Sequence, residues 1–330
     1  MFDVQDRKRR GNPVILIVIL ILVLVFIISG LQFLESTVFH STGTTLGSNT
    51  KTIVRDGVEY FPRQDITVIL VAGIDEYGPV VSSESYNNSG EADMVSLLIF
   101  DETNETIHML SLNRDTMLEI PVLGIGGKQA GTIHGQLALA HTYGSGLEDS
   151  AKNLRDTVSD FLYGLNINYY VTMNMDAITL LNDAVGGVPV TVTDDFSQVD
   201  PTITMGEVTL RGEQAVTFVR TRQGLGDQLN LTRMERQKEY MSSFVDALKA
   251  SMESSASFVI NTYDAVDAYM VTDCSVKIMA SFAERYAGYT MGDMVSIQGE
   301  NIKGEQYMEY HVDEEALDQV ILKYLYSPKT

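Results

Sequence analysis

An uncharged segment near the start of the chain constrains its architecture more than any other feature. Residues 13–34 carry no charged side chain and contain an unbroken apolar run from Val14 to Ile28. About 20 predominantly apolar residues suffice for a helix to cross a lipid bilayer. Four basic residues, Arg7-Lys8-Arg9-Arg10, precede the segment, and such clusters favour the cytoplasmic side. We therefore predict a cytoplasmic tail over residues 1–12, one transmembrane helix over residues 13–34 and an extracytoplasmic remainder.

A cleavable signal peptide is the alternative interpretation of this segment. The apolar region of a signal peptide is about 7–15 residues long and is followed by a small-residue cleavage site. No A-x-A pattern follows the apolar run here, so we favour an uncleaved anchor. The sequence has no second run of this kind, and we expect everything from about residue 35 to lie outside the membrane.

The predicted extracytoplasmic part is strongly acidic. The whole chain has 23 Lys and Arg residues against 44 Asp and Glu residues, a formal net charge of −21. Without residues 1–10, 19 basic side chains face 42 acidic ones, a charge of −23. Nucleic-acid binding depends on neutralising phosphates with Lys and Arg, so this balance argues against a nucleic-acid partner. Because Cys274 is the single cysteine, no internal disulfide forms and stability must come from a hydrophobic core.

The sequence pattern divides this part into three segments. Residues 35–64 begin with a Ser-, Thr- and Gly-rich stretch and are interpreted as an extracytoplasmic linker. Strand and helix signals alternate over residues 65–250, and residues 251–330 are interpreted as a C-terminal helical part of the same domain. Interleaved strands and helices are typical of an α/β fold. The sequence therefore predicts a central mixed β-sheet flanked by helices.

Individual elements are predicted from the length and periodicity of the apolar runs. The predicted strands, which are short and apolar, cover residues 66–74, 94–100, 106–112, 169–174 and 188–192. Polar residues 101–105 separate the second strand from the third and predict a hairpin. The predicted helices cover residues 136–143, 146–163, 176–185, 212–219, 232–251, 275–287 and 314–326.

Four arginines are concentrated within seventeen positions of this acidic chain. Arg220 and Arg222 are two positions apart and would face the same side of an extended segment. Arg233, Arg236 and Gln237 fall on one face of a predicted helix. The planar guanidinium group matches the geometry of phosphate oxygens, so the cluster predicts an anion site. Surface arginines paired with nearby acids are the alternative.

Acidic side chains stand at the ends of three predicted strands. Asp75 directly follows the first strand, Asp93 directly precedes the second, and Arg114 and Asp115 follow the third. Mg²⁺ prefers one or two carboxylates, completed by water and substrate phosphates. Each aspartate alone is explained by a turn or a helix cap. Two carboxylates together with several arginines instead predict a metal-assisted pyrophosphate site.

Seven short motifs occur along the chain in a fixed order. They are Gly73-Ile74-Asp75, Ala92-Asp93-Met94, Ser111-Leu112-Asn113-Arg114-Asp115-Thr116, Leu180-Leu181-Asn182-Asp183-Ala184-Val185-Gly186-Gly187-Val188, Leu210-Arg211-Gly212-Glu213-Gln214-Ala215, Arg220-Thr221-Arg222 and Arg233-Met234-Glu235-Arg236-Gln237. In this set the chain resembles the LytR-CpsA-Psr family. The resemblance covers residues 66–245, and an N-terminal single-span anchor is also typical of that family.

The resemblance implies a phosphotransferase of Gram-positive cell envelopes. Such enzymes move a glycopolymer from an undecaprenyl-pyrophosphate carrier onto the muramic acid of peptidoglycan, and an apolar groove in their α/β core takes the polyprenyl chain. Carried over by position, Asp75 and Asp93 would bind Mg²⁺ or Mn²⁺, and Asp115 would act in catalysis by positioning its neighbour. The residues that would hold the pyrophosphate are Arg114, Arg220, Arg222, Arg233 and Gln237.

The chain departs from the family pattern at three positions. Glu91 replaces an arginine that precedes the second metal aspartate, Thr132 replaces a lysine, and Asn230 replaces an aspartate. These changes retain the metal carboxylates and most of the arginines, but they affect the acceptor base and the substrate. Asp227 is the candidate for the catalytic base, and Lys128 is the candidate for the missing lysine.

Two other functions remain open from the sequence. A non-catalytic anchored protein that binds lipid-linked pyrophosphates or wall polymer would tolerate all three departures. A pyrophosphatase acting on lipid-linked glycans would use the same metal and arginines, with water as the acceptor. Retention of Asp75, Asp93 and Arg114 favours the transferase, because a scaffold has no need of the metal pair.

Overall fold

The computed structural model describes most of the predicted extracytoplasmic part. The described residues are 52–83, 85–221, 236, 239–240, 242–244, 246–248, 250–251, 254–255, 257–286, 288–304 and 307–329. The transmembrane helix predicted for residues 13–34 lies outside these ranges. Within them, no helix is both long and apolar enough to cross a membrane.

The described elements alternate along the chain. The strands are β1 (Ile53–Arg55), β2 (Val58–Pro62), β3 (Ile66–Ile74), β4 (Ala92–Asp101), β5 (Thr106–Leu112), β6 (Met117–Gly124), β7 (Lys128–Gln136), β8 (Tyr169–Asn174), β9 (Val188–Val192), β10 (Gly206–Leu210), β11 (Met270–Thr272), β12 (Thr290–Ser296), β13 (Gly299–Lys303), β14 (Met308–Val312) and β15 (Tyr326–Pro328). The α-helices are α1 (Glu148–Phe161), α2 (Met175–Ala184), α3 (Gln214–Arg220), α4 (Phe258–Val266), α5 (Val276–Arg285) and α6 (Glu314–Tyr324). The described positions between 236 and 254 are also helical.

A six-stranded mixed sheet forms the centre of the fold, in the order β11-β8-β3-β4-β5-β12. Strand β3 runs parallel to β8 and antiparallel to β4, and β4 runs antiparallel to β5. Strands β3, β5 and β8 therefore end where β4 begins. We call this the carboxyl end of the sheet, and the other the opposite end. The predicted mixed sheet is confirmed.

Helices cover both faces of this sheet, as predicted. Along β3, Ile69 and Val71 face one hydrophobic core, whereas Val68 and Leu70 face the other. The first core includes side chains from α2, α3, α4 and α5, and the second includes side chains from α1 and α6. Burial on both faces explains why β3 and β4 read as continuous apolar runs. Each fully buried aliphatic side chain contributes about 1.5–3 kcal/mol to stability.

The α-helix predicted for residues 136–143 is wrong, because this segment contains the end of a strand and a short 3-10 helix. Strand β7 extends to Gln136, and only Leu137–His141 turns, as a 3-10 helix. The first N–H groups of this turn donate to carbonyls of another segment: Leu137 N to Thr116 O (2.8 Å) and Ala138 N to Arg114 O (2.9 Å). These long-range bonds fix the turn against the loop after β5, which local helix propensity does not reveal.

Folded structure begins earlier than the predicted linker 35–64 allows. Strands β1 and β2 form a hairpin whose two-residue turn is Asp56-Gly57, with φ angles of 51° and 78°. Positive φ at both central residues is the requirement of a type I′ turn, for which Asp-Gly is a preferred pair. Strand β2 also pairs with β15 near the end of the chain. The second half of the predicted linker therefore belongs to the folded domain.

The interpretation of residues 251–330 as helical is also corrected. Helices α4, α5 and α6 are present, but strands alternate with them. Strands β11 and β12 form the two edges of the central sheet, and β13 pairs with β14. These strands are short or largely exposed, so they lack the apolar runs by which the central strands were recognised.

Candidate active site

The predicted metal aspartates lie together at the carboxyl end of the sheet. Asp75 directly follows β3, and its backbone N–H donates to Glu91 O at 2.9 Å. Asp93 is the second residue of β4 and falls at a bulge, because Gly73 pairs with Met94 while Ile74 pairs with Ala92. A bulge re-aims a side chain, and bulges are common beside active sites.

Arg114 lies two residues beyond β5 and contacts three carboxylates. Its Nη2 is 2.5 Å from Glu91 Oε2, and its Nη1 forms an ion pair with Asp93. Its Nε is 3.5 Å from Asp115 Oδ1. All four side chains are partly exposed. One guanidinium group does not neutralise three carboxylates, so these four side chains together carry an excess of negative charge.

Asp115 is held more tightly than its neighbours. Gln136 Nε2 donates to its Oδ1 at 2.8 Å, and Tyr310 N donates to its backbone carbonyl at 2.8 Å. Burial raises the pKa of the Asp115 carboxyl above its ordinary value; Arg114 opposes this rise and Glu91 adds to it. Asp115 is therefore fixed by both β7 and β14 beside the arginine that it was predicted to position.

Arg220 approaches the same end of the sheet from the last position of α3. Its Nη2 lies 3.8 Å from Asp75 Oδ1, and its Nη1 donates to the Tyr77 hydroxyl at 3.2 Å. Both contacts are at the surface, with about a third of the Arg220 side chain exposed (34%). The guanidinium group therefore remains available to an incoming anion.

Arg236, also part of the arginine cluster, has a structural role. Its side chain is 5% exposed and forms an ion pair with Asp194. Its Nε and Nη2 donate to Phe218 O (3.2 Å) and Thr221 O (2.7 Å). These carbonyls belong to the final turn of α3, where cationic side chains commonly satisfy unpaired groups. Arg236 thus fixes the helix end from which Arg220 projects.

The structure thus brings together five of the predicted site residues: Asp75, Asp93, Arg114, Asp115 and Arg220. The other predicted site residues lie outside the described residues, and their roles stay predictions. They are Arg222, Asp227, Arg233 and Gln237.

Lys128 does not replace the missing family lysine. It begins β7 at the turn of the β6–β7 hairpin, eight residues from Gln136, which is next to Asp115. Eight residues of extended strand span roughly 26 Å. The lysine therefore lies far from the cluster around Arg114.

Three residues in contact with this site were not assigned roles from the sequence. Glu91 was recognised only as a departure from the family pattern, yet it pairs directly with Arg114. Gln136 and Tyr77 were not identified. They contact Asp115 and Arg220 across 21 and 143 sequence positions. The sequence placed Gln136 at the start of a predicted helix, so its position at the end of β7 was not anticipated.

The arrangement of acids suits a magnesium ion shared with a substrate. In the described part of the chain, no three His, Cys, Asp or Glu side chains form a group that holds a metal by themselves. Asp75 and Asp93 offer hard oxygen ligands on adjacent strands. Mg²⁺ keeps several waters and is usually bound through one or two carboxylates plus substrate phosphates. The donor set therefore fits Mg²⁺ or the similar Mn²⁺.

A cavity of about 360 Å³ adjoins this cluster. It lies between the loop that joins β3 to β4 and the carboxyl ends of β3 and β8. Ile74 and Gly90 line it, so it begins one residue from Asp75 and from Glu91. His141 also lines it, and burial lowers the pKa of this histidine to about 4, which keeps it neutral.

Comparison with known proteins identifies related chains and a shared fold. The polyisoprenyl-teichoic acid–peptidoglycan teichoic acid transferase TagU of Oceanobacillus iheyensis is 28% identical over 96% of this chain and 94% of its own length. The solved structure of Bacillus subtilis TagV has a TM-score of 0.53 at 25% identity, covering 78% of this chain and 95% of that one. Protein gbs0355 from Streptococcus agalactiae gives a TM-score of 0.58 at 24% identity, with coverages of 78% and 85%.

The family assignment rests on nearly the whole length of the chain. A sequence model of the LytR_cpsA_psr family matches residues 33–324. This range contains the cluster at the carboxyl end of the sheet and the adjoining cavity. The chain therefore belongs to the LytR_cpsA_psr family.

Proposed function

We propose that this chain is a membrane-anchored, metal-assisted phosphotransferase that moves a glycopolymer from an undecaprenyl-pyrophosphate carrier onto peptidoglycan. Its similarity to the TagU transferase over almost the entire chain supports the reaction class. The observation that carries the proposal is the cluster of Arg114 with Glu91 and Asp93, beside Asp75 and Arg220. Carboxylates and arginines converge there at strand ends, as a pyrophosphate and a divalent cation require.

The proposed reaction exchanges a phosphoanhydride bond for a phosphate ester bond. A sugar hydroxyl of peptidoglycan forms a P–O bond to the phosphorus next to the glycopolymer. The bond from that phosphorus to the bridging oxygen breaks, and its electron pair leaves with undecaprenyl phosphate. The hydroxyl proton passes to a carboxylate base, for which Asp227 is our candidate. Phosphoryl transfer depends mainly on positioning and charge stabilisation.

The side chains divide these tasks between them. Arg114 and Arg220 bind the phosphate oxygens, together with Arg222, Arg233 and Gln237. Asp115 and Gln136 orient Arg114 from the buried side of its loop. Asp75 and Asp93 hold Mg²⁺ or Mn²⁺, which supplies a Lewis acid for the oxygens that gain charge. Arg114 is paired with Glu91 and Asp93, and it would exchange these contacts for phosphate oxygens when the pyrophosphate binds.

The location follows from the same reaction. An undecaprenyl carrier is a membrane lipid, so a transferase that uses it works at the bilayer surface. We propose that residues 13–34 anchor the chain in the cell membrane, with residues 1–12 in the cytoplasm and the folded domain outside it. The linker from residue 35 to β1 sets the distance between the site and the bilayer.

A transfer assay tests this function directly. The full-length chain in lipid nanodiscs is mixed with a synthetic polyprenyl-pyrophosphate-linked disaccharide, Mg²⁺ and peptidoglycan oligomers. Mass spectrometry should detect the disaccharide joined to the glycan through a phosphodiester, and EDTA should abolish this product. Arg114→Gln should abolish it as well. Arg285→Gln is the matched control, because Arg285 is also paired with a carboxylate, Glu102, but at the opposite end of the sheet.

The other outcomes of this assay contradict the proposal. Release of free phosphosaccharide without a conjugate would identify a pyrophosphatase. Tight binding of the lipid pyrophosphate without turnover, repeated across several donor lipids, would identify a scaffold or regulator.

A further inference from the structure

We propose that His141 and Asn88 are positioning residues, which fix Asp75 and Asp93 at the separation that the divalent cation requires. The inference rests on the proposed function, because that function makes these two aspartates the metal ligands. Both positioning side chains contact the backbone of Gly90, two residues before β4 begins. They therefore act on the aspartates through the main chain.

The backbone carbonyl of Glu91 joins the two aspartates. It accepts hydrogen bonds from Asp75 N at 2.9 Å and from Asp93 N at 3.0 Å. Asp93 lies at a bulge, where the regular strand ladder is interrupted and does not by itself set the position of a residue. A displacement of the Glu91 backbone therefore moves both carboxylates. Mg²⁺ demands near-ideal octahedral geometry, so its binding is sensitive to such a displacement.

Two side chains hold both polar groups of the Gly90 backbone. Asn88 Oδ1 accepts from Gly90 N at 2.8 Å, and His141 Nδ1 donates to Gly90 O at 2.8 Å. Gly90 O belongs to the peptide unit that continues into Glu91. A Cβ on Gly90 would lie 2.8 Å from Ile74 Cγ2, so the same segment is packed closely against the end of β3. These contacts fix the position of the Glu91 carbonyl.

Both positioning side chains are linked to the segment that holds Arg114. The Asn88 amide donates to His141 O at 2.9 Å. His141 is the last residue of the 3-10 helix Leu137–His141, and Ala138 N near the start of this helix donates to Arg114 O at 2.9 Å. The short helix therefore connects the loop of the phosphate-binding arginine with the backbone that holds the metal aspartates.

The hydrogen bonding of His141 indicates why a histidine occupies this place. A carbonyl oxygen only accepts hydrogen bonds, so the bond to Gly90 O requires the proton on Nδ1. The residue is 3% exposed, and its Nε2 has no hydrogen-bond partner among the described residues. A buried nitrogen without a partner costs free energy. Packing alone does not require a histidine here, whereas a bond to Gly90 O requires a donor.

Manganese binding tests the inference by a readout other than turnover. The full-length chain in nanodiscs that contain a polyprenyl pyrophosphate without a sugar is titrated with Mn²⁺, and electron paramagnetic resonance measures the free ion. Nanodiscs with the same lipid and no protein give the background. His141→Phe keeps a ring of similar size but loses the donor, so the affinity for Mn²⁺ should fall about tenfold. His141→Asn places an amide donor near the former Nδ1 and should recover most of this loss. Asn88→Ala should lower the affinity as His141→Phe does.

Asn153→Ala is the matched control. The Asn153 amide is also buried and also holds two backbone carbonyls, Pro121 O at 2.9 Å and Ala140 O at 2.8 Å. Ala140 is next to His141, but neither carbonyl belongs to the loop that precedes β4. This variant should be less stable in urea and should bind Mn²⁺ as the wild type does.

The transfer assay supplies a second readout. In His141→Phe, the Mg²⁺ concentration that gives half the maximal rate should rise about tenfold, while the rate at saturating Mg²⁺ should approach that of the wild type. A structural role alone would lower the folded fraction without changing this concentration. If His141→Phe does not fold, Asn88→Ala takes its place in both measurements.

Three outcomes would overturn the inference. If the folded variants bind Mn²⁺ as the wild type does, the positioning role is wrong and the proposed function stands. If Asn153→Ala loses as much affinity, or if His141→Asn recovers none, a general loss of structure explains the effect and the inference is again wrong. If the wild type neither binds Mn²⁺ nor forms the conjugate, the proposed function is wrong as well.

Discussion

Both ends of the central sheet place an arginine beside aspartates at strand termini, but the charges are compensated differently. At the opposite end, Arg63 precedes β3 and donates to Asp65 Oδ1 (3.0 Å), to Asp65 Oδ2 (2.6 Å) and to Asp101 Oδ2 (2.9 Å). Asp101, which is 2% exposed, also accepts bonds from the backbone N–H groups of Thr103 and Asn104. Both of these carboxylates are matched by local donors.

At the carboxyl end of the sheet, the described carboxylates outnumber the described arginines. Among the described residues, Arg114 contacts Glu91, Asp93 and Asp115, and Arg220 lies 3.8 Å from Asp75. In this group four carboxylates face two arginines. Their surfaces remain accessible, with the Asp75 side chain 44% exposed. Side chains of both charges that are accessible in this way can contact a cation and a phosphate.

The pKa directions follow from the same difference. Burial opposes ionisation of Asp101, but the hydrogen bonds from Arg63 and Asn104 outweigh it and lower the pKa of this carboxyl. For Asp115, burial outweighs the attraction of Arg114 and raises the pKa. An aspartate at a strand end therefore has a structural role at the opposite end of the sheet and a functional role at the carboxyl end. Its hydrogen-bond partners distinguish a structural ion pair from a functional one.

The largest effect is expected from Asp93→Ala. If Asp93 binds the metal, its loss should lower transfer to peptidoglycan by about 10³-fold. The free energy of unfolding should change by less than ~1 kcal/mol, because Arg114 retains Glu91 and Asp115. The transfer assay and denaturant unfolding measure the two quantities. Asp156→Ala, at an exposed pair with Arg155, is the control for both. Undiminished transfer by Asp93→Ala would rule out the metal assignment.

The next largest effect is expected from Asp101→Ala, at the opposite end of the sheet. This variant should lose stability and keep its activity. Asp101→Ala leaves the nearly buried Arg63 with one partner fewer and should lower the free energy of unfolding by about 3 kcal/mol. Transfer activity per folded molecule should be unchanged. Urea denaturation at pH 7 measures the first quantity, and the activity of the folded fraction measures the second. A loss of activity without a loss of stability would place Asp101 among the functional residues and remove the contrast between the two ends.

Much of the fold was predictable because the central strands are buried on both faces. That burial produces nearly continuous apolar runs in β3 and β4, and the polar residues between β4 and β5 mark their hairpin. The Asp56-Gly57 turn carried a usable signal that the linker interpretation overlooked. Strands β13 and β14 carried no such signal, since most of their side chains are exposed.

The site was predictable where residue type and strand end coincide and, for Arg220, from the local concentration of arginines. Asp75 and Asp93 qualify, because their positions follow from the strands beside them. The roles of Gln136 and Tyr77 depend on contacts with distant residues, which no local pattern encodes. Arg236 belongs to the same cluster as Arg220, but only burial against Asp194 shows that it stabilises the fold.

The smallest effect on the free energy of unfolding is expected from Asp115→Asn. The sign of this effect at pH 7 should be opposite to that of the equivalent change at the other end of the sheet. A raised pKa means that the folded wild type holds this proton more tightly than the unfolded chain does. The contribution of Asp115 to stability is therefore greatest in acid and is lost as the pH rises through the ordinary value and then the raised one. Asparagine mimics the protonated form, so the variant should match the wild type at acid pH and be more stable at pH 7.

Asp101→Asn is the matched comparison, because the pKa of Asp101 is lowered. Its ionised form stabilises the fold above the ordinary aspartate pKa, so asparagine should be destabilising at pH 7, and the deficit should shrink as the pH falls. Urea unfolding of both variants between pH 3 and pH 7 measures the two trends against the wild type. Asp115→Asn should also lose transfer activity, since Arg114 then lacks one of its charged neighbours. If both variants were destabilised at neutral pH, Asp115 would be a structural residue like Asp101, and the excess of negative charge at the carboxyl end would carry no functional meaning there.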